Sequence, residues 1–144
     1  AAVSIKWPND IYWGHRKVCG ILLESDTSTP RAIVAGFGIN VNISREQFPG
    51  DIAPIATSVL IETSKRQDTG ALLSSILTSF ERYLAMDIMQ AHGLYTRRLY
   101  RLGDMVRVEA KQGIFETVRE DGCLCLRAEG HVQYPTSGTI EFVE

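Results

Sequence analysis

The sequence predicts an α+β protein in two parts: a partial mixed or antiparallel sheet with packed helices over residues 1–102, then a small SH3-like β-barrel over residues 103–144. Three observations carry this. Two apolar runs, residues 18–23 and 32–38, read as buried strands on either side of a polar turn at residues 25–30. Leu72, Leu73, Ile76, Leu77, Phe80, Leu84 and Ile88 then recur at helical spacing. Past Leu102 the pattern changes to short alternating segments separated by glycine-bearing turns.

Taken in order, residues 3–7 are strand-like. Pro8 has no amide donor and drives Trp7 away from helical dihedrals, so the chain turns at Pro8-Asn9-Asp10. Trp7 and Trp13 are expected as core or rim aromatics. The two apolar runs pair as a hairpin. Residues 44–54 form a loop with one helical turn at 45–48, and residues 56–60 lead to a polar break. Asp68 or Thr69 caps a helix from Gly70 to about His92, stopped by Gly93, that covers one face of the sheet. A shorter amphipathic piece, residues 94–102, turns Arg97, Arg98 and Arg101 to water. A boundary near Gly103 precedes five barrel strands at 105–109, 114–118, 123–127, 131–134 and 139–143.

Composition narrows the function classes. Hydrophobic residues make up 44% and charged residues 22%, an ordinary globular balance, and no apolar run is long enough to cross a bilayer. With 15 basic against 17 acidic residues the net charge is -2, so a general nucleic-acid footprint is not expected and any bound anion needs a local site. Cys19, Cys123 and Cys125 lack metal-ligand spacing and the three histidines are scattered, so no metal site is expected. The cysteines read as reduced thiols of a cytoplasmic protein. Cys19, two residues from Lys17, is either a small buried hydrophobe or a nucleophile favoured by a nearby cation.

The chemistry-bearing residues cluster early. Lys6-Trp7-Pro8-Asn9-Asp10 and Arg16-Lys17 place charge around a bend at the mouth of a core strand. The pattern Ala-Gly-Phe-Gly-Ile-Asn-Val-Asn at residues 35–42 removes side chains at Gly36 and Gly38 and follows them with the carboxamides of Asn40 and Asn42. Glycines in a strand admit a ligand or another backbone, and carboxamides donate and accept together, which suits a flat heteroaromatic ring. Plainer roles stand beside these. Asn9 and Asp10 can serve the turn alone, Lys6 an edge strand, and Gly36 and Gly38 a bulge.

Lys6-Trp7-Pro8-Asn9-Asp10, then Arg16-Lys17-Val18-Cys19-Gly20-Ile21-Leu22-Leu23-Glu24, then Gly36-Phe37-Gly38-Ile39-Asn40-Val41-Asn42, followed by a small β domain, resemble the biotin protein ligases. The resemblance covers the later part of that family's catalytic domain and its C-terminal domain. It implies a class II synthetase-like fold of the biotin ligase type. The implied activity is ATP-dependent formation of biotinyl-5'-AMP and transfer of biotin to a lysine of a biotin carboxyl carrier domain. ATP with Mg2+ is the expected cofactor and biotin the substrate. Lys17 is carried over as the lysine touching the biotin carboxyl and the phosphate, where a fixed ammonium favours the transition state. Asn9 and Asn40 match residues around the adenine, and Gly20, Gly36 and Gly38 give the ligand room. Asp10 matches a position that orients the ribose, an arginine or a magnesium ion, and Lys6 a second charge near the phosphates. A homodimer is compatible with the resemblance.

The departures from the family matter as well. Its glycine- and arginine-rich loop is not found in these residues, nor is the DNA-binding winged-helix domain of some members. Cys19 stands where a glycine or alanine is common. The chain is therefore expected to be a fragment unable to ligate biotin unaided. A non-catalytic carrier-docking or dimerisation module and a lipoate-type acyl ligase are the alternatives.

Overall fold

The computed structural model describes residues 2–26 and 32–143. Its elements are β1 (Val3–Lys6), β2 (Asp10–Trp13), β3 (Arg16–Asp26), β4 (Ala32–Ile39), a 3-10 turn (Arg45–Gln47), α1 (Val59–Thr63), α2 (Thr69–Leu84), α3 (Ile88–Thr96), β5 (Met105–Val108), β6 (Lys111–Val118), β7 (Leu124–Ala128), β8 (His131–Gln133) and β9 (Glu141–Phe142). No helix among the described residues is long and apolar enough to cross a membrane. Contacts divide the chain into two units, Ala1–Val3 with Asn9–Ser74, and Ser4–Pro8 with Ser75–Glu144.

The first unit is built on the sheet of order β1-β2-β3-β4, of which it holds Val3 from β1. The expected hairpin forms, with β3 and β4 antiparallel from Cys19 opposite Ile39 to Asp26 opposite Ala32. Residues 25 and 26, expected in the turn, extend β3, and the rest of that turn lies outside the described residues. Asp10 to Trp13, beyond the expected bend, forms a strand of its own on β3. Between Ile11–Cys19 and Tyr12–Lys17 the β2/β3 ladder skips Val18, leaving a bulge on β3. The end of β4 is tied to the start of α1, Val59 N–H donating to Asn40 O and Leu60 N–H to Val41 O, both at 2.9 Å. Ser58 caps α1, its hydroxyl accepting from Ile61 N–H at 3.1 Å. No helix was expected there. Asp68 is the residue that caps α2, its Oδ1 accepting from Gly70 and Ala71 N–H.

The single helix expected to His92 is two helices. The side chain of Asp87 accepts from Met89 and Gln90 N–H and starts α3 afresh, and Gly93 lies inside α3 instead of stopping it. Nor does α2 shield a sheet face through its apolar stripe: it holds no buried residue, and Leu73 and Leu84 are 56% and 70% exposed.

In the second unit a five-stranded antiparallel sheet of order β8-β7-β6-β5-β9 carries the core, with Val106, Phe115, Leu124, Leu126 and Ile140 essentially inaccessible. The predicted SH3-like barrel is not what forms. This sheet is open, with β8 and β9 as its two edges, so the architecture is two antiparallel sheets with three helices. Strand length is the reason. The expected last strand over 139–143 contributes only Glu141–Phe142 to the ladder, after a bend in which Gly138 takes φ +113°, and β8 has three residues. Neither edge has the length to close on the other. The Ser4–Pro8 segment belongs to this unit: Ile5 N–H donates to Arg98 O at 2.7 Å, Tyr100 N–H to Ile5 O at 2.8 Å, and Trp7, before a cis Pro8, is buried in the core. Arg101 pairs with Asp104 and lies 4.5 Å from the Phe142 ring centroid.

Candidate functional site

The register of the first sheet determines which side chains share a face. Asp10 and Tyr12 are two apart on β2 and therefore point the same way, and their partners across the ladder are Gly20 and Lys17. The bulge at Val18 thus brings Lys17 to the face of Gly20, although they are three positions apart in the sequence. On the other side Gly20 faces Gly38, and Leu22 faces Gly36. Three glycines on one face, with the Leu22 side chain beside Gly36, leave a low floor, and a Cβ at Gly36 or Gly38 would meet nothing nearer than 3.7 Å.

Around that floor is an open cleft of about 520 Å³ lined by Asn9, Asp10, Lys17, Gly20, Ile21, Leu22, Gly36, Phe37 and Gly38. Lys17 Nζ lies 2.5 Å from Asp10 Oδ1, at the lip, with both side chains partly exposed. Such a pair adds little to stability. Its importance is geometric: the Lys17 tip sits over Gly20, where an added Cβ would be 3.2 Å from Cε and Nζ. Asn9 grips the neighbouring strand at two points, its Nδ2 donating to Ile21 O at 2.6 Å and its own carbonyl accepting from Ile21 N–H at 2.9 Å.

Two of the site residues implied by the resemblance, Lys6 and Asn40, are not in this lining. Lys6 belongs to the second unit, with Nζ 6.0 Å from the Phe142 ring centroid. Asn40 follows the end of β4, and its Nδ2 donates to Thr57 O at 3.1 Å. Conversely, sequence reasoning missed Tyr12, which shares the face of Asp10 and Lys17 and whose hydroxyl pKa is raised by burial, with Asp10 adding to the rise and Lys17 opposing it. It also missed Thr57, Glu62 and the Arg16–Glu62 pair at 2.7 Å. Thr57-Ser58 between apolar neighbours was the available signal, and it reads equally well as a helix cap. Cys19 is buried, and burial pushes its thiol up, more than the Lys17 charge lowers it. The nucleophile reading therefore gives way to a small buried hydrophobe.

An ammonium beside a carboxylate, at the edge of a flat backbone floor, can receive an anionic group and let a planar one approach the sheet. No group of three or more His, Cys, Asp or Glu side chains that would hold a metal occurs among the described residues. A larger hollow of about 650 Å³ in the second unit includes Trp7, His92, Tyr95 and Val118, but none of the residues assigned to biotin or ATP by the resemblance. Its histidine is engaged, Nε2–H donating to Val118 O at 2.7 Å.

The model of the Biotin/lipoate A/B protein ligase family matches residues 1–43. The biotin–[acetyl-CoA-carboxylase] ligase of Paracoccus denitrificans is 34% identical, the match covering 99% of this chain and 64% of that protein. The bifunctional ligase/repressor BirA of Bacillus subtilis is 29% identical over 96% of this chain and 46% of its own length. Among solved structures, the apo biotin protein ligase of Aquifex aeolicus superposes with a TM-score of 0.84 at 26% identity, covering 98% of this chain and 65% of that one. The same protein in complex with biotin and ATP gives a TM-score of 0.82 at 26% identity, covering 99% and 62%. The chain thus spans about half to two-thirds of the length of these relatives.

Proposed function

The chain belongs to the biotin protein ligase family, and from that premise we propose that it forms the adenylate side of a cytoplasmic biotin–protein ligase, residues 1–102 belonging to the catalytic domain and 103–144 to the C-terminal domain. In the first step a biotin carboxylate oxygen attacks the α-phosphorus of ATP. The bond to the β-phosphate breaks, and pyrophosphate leaves with the electron pair. In the second, a lysine amine of a biotin carboxyl carrier domain attacks the acyl carbon and AMP departs. Charge concentrates between carboxylate and phosphate in the first step, and the Lys17 ammonium is the chain's group for that point. Asn9, in the cleft lining, serves the adenine, with Asn40, beyond the end of β4, assigned to the same base by the resemblance, and Gly20, Gly36 and Gly38 admit the nucleotide to the sheet. Were magnesium bound with the nucleotide, Asp10 would be the cleft carboxylate to hold it, and the ion would supply charge neutralisation at the phosphates.

The observation that carries this reading is the Lys17 ammonium, held by Asp10 over a floor of three glycines. Titration of ATP with magnesium into this chain and its Lys17→Ala variant tests it. The expected result is binding that the variant weakens about tenfold, the size of a lost charge-assisted contact. Equal affinities remove Lys17 as the phosphate contact, and absence of binding by either protein overturns the assignment. Because the matching family model spans lipoate as well as biotin ligases, competition between biotin and lipoate for the cleft distinguishes the two acids.

A further inference from the structure

Thr57 is fully buried, and each of its three polar groups is tied to the neighbourhood of the cleft. Its N–H donates to Lys17 O at 2.8 Å. Its carbonyl accepts from Asn40 Nδ2 at 3.1 Å. Its hydroxyl donates to Glu62 Oε1 at 2.5 Å. The same carboxylate oxygen accepts from Arg16 Nη2 at 2.7 Å, and the Glu62 side chain is only 13% exposed. Lys17 N–H donates in turn to Ile55 O at 2.9 Å, so the lysine's backbone is held on both sides through a parallel bridge to Ala56.

We propose that Thr57, anchored by Glu62 and Arg16, is a positioning residue that fixes Lys17 and Asn40 relative to each other; as a statement about catalysis this rests on the function proposed above. A buried threonine serving packing alone needs one acceptor for its hydroxyl, and a nearby backbone carbonyl suffices. Here the hydroxyl reaches a nearly buried carboxylate that an arginine also holds, and both bonds are charge-assisted. The amide and carbonyl of the same residue then reach the two candidates that sequence reasoning assigned to phosphate and adenine. Removing the hydroxyl frees Thr57 to swing about its backbone, and that slack passes to Lys17 and Asn40 together.

Two substitutions separate positioning from packing. Thr57→Val keeps the volume and loses the hydroxyl, whereas Thr57→Ser keeps the hydroxyl and loses a buried methyl. On positioning, Thr57→Val weakens ATP–magnesium affinity about tenfold and speeds exchange of the Asn40 side-chain amide protons, observed by NMR, while Thr57→Ser restores both. Should Thr57→Val not fold, Glu62→Gln, which keeps size and acceptor but drops the charge on Arg16, is expected to shift both readouts in the same direction. Native-like affinity and exchange in these variants overturn the proposal. So does a Thr57→Ser variant as impaired as Thr57→Val, which is the packing result. If the native chain binds no ATP, the ligase reading fails, and the Asn40 exchange rates still decide whether Thr57 holds the two residues.

Discussion

Substituting Gly20 by alanine separates the chemistry of the cleft from the stability of the sheet beneath it. The new Cβ would lie 3.2 Å from Lys17 Cε and Nζ and 3.5 Å from Asp10 Oδ1. Ordinary contacts are about 3.5–4.0 Å, so the lysine tip must retreat by roughly half an ångström. What yields is the end of a flexible side chain, and Gly20 has no left-handed backbone to strain. Restricting the unfolded chain favours the variant by about 0.4–1 kcal/mol. The fold should therefore hold or gain slightly, its Tm in calorimetry no lower than that of the native chain. A charge-assisted bond to a phosphate contributes about 1.5–3 kcal/mol, and displacing the donor forfeits roughly half of it, a loss of about fivefold in ATP–magnesium affinity. A fall in Tm beyond about 3 °C, equivalent to about 1 kcal/mol, would show that Gly20 is there for the sheet. Unchanged affinity at unchanged Tm would show that the Lys17 tip does not reach the nucleotide.

Asp10→Asn removes a partly exposed partner, so urea denaturation should register a cost under about 1 kcal/mol; with the carboxylate that holds the Lys17 ammonium and fits a cation gone, ATP–magnesium should bind more weakly by titration, and equal affinities would remove Asp10 from the site. Trp7→Phe deletes the indole N–H that donates to Gly122 O at 2.9 Å and leaves a gap in the core of the second unit. The expected cost is about 1–3 kcal/mol from the urea midpoint, and a change below about 0.5 kcal/mol would refute a core role. Gly113→Ala would set a Cβ 2.7 Å from the Arg127 carbonyl oxygen, a backbone atom that cannot step aside, and should lose about 1–3 kcal/mol by the same measurement, whereas Gly36→Ala should lose far less. Burial raises the pKa of Cys19, so the unfolded chain releases that proton at a lower pH than the folded one. Stability from this group is complete below the ordinary thiol range near about pH 8.5 and falls as pH rises through the folded value. Urea melts at neutral and alkaline pH should show a shallower decline for Cys19→Ala than for the native chain, and equal slopes would contradict the assignment.

The elements legible in the sequence are those whose signal is local. The β3/β4 hairpin follows from two apolar runs, the α2 cap from Asp68, and four of the five late strands from alternation and glycine turns. What depends on distant partners was not legible. Asp87 is an ordinary polar residue until its carboxylate takes two backbone amides and divides one helical pattern into two helices. Thr139 to Val143 alternates like a strand, but only two of its residues find a ladder, and the sheet stays open. The cleft shows the same limit more sharply. Counting back from Gly20 by strict alternation puts Lys17 on the opposite face, away from the glycine floor. The skipped pairing at Val18 reverses that parity, and Val18 is itself buried, so an extra apolar residue on the inner side turns the lysine to the outer one. Spacing alone gives the wrong face. Only the pairing of β2 with β3 brings the ammonium, its carboxylate and the glycines together; deleting Val18 would place Lys17 two positions from Gly20 in a regular ladder, so the lysine should stay on the glycine face and still bind with the bulge gone.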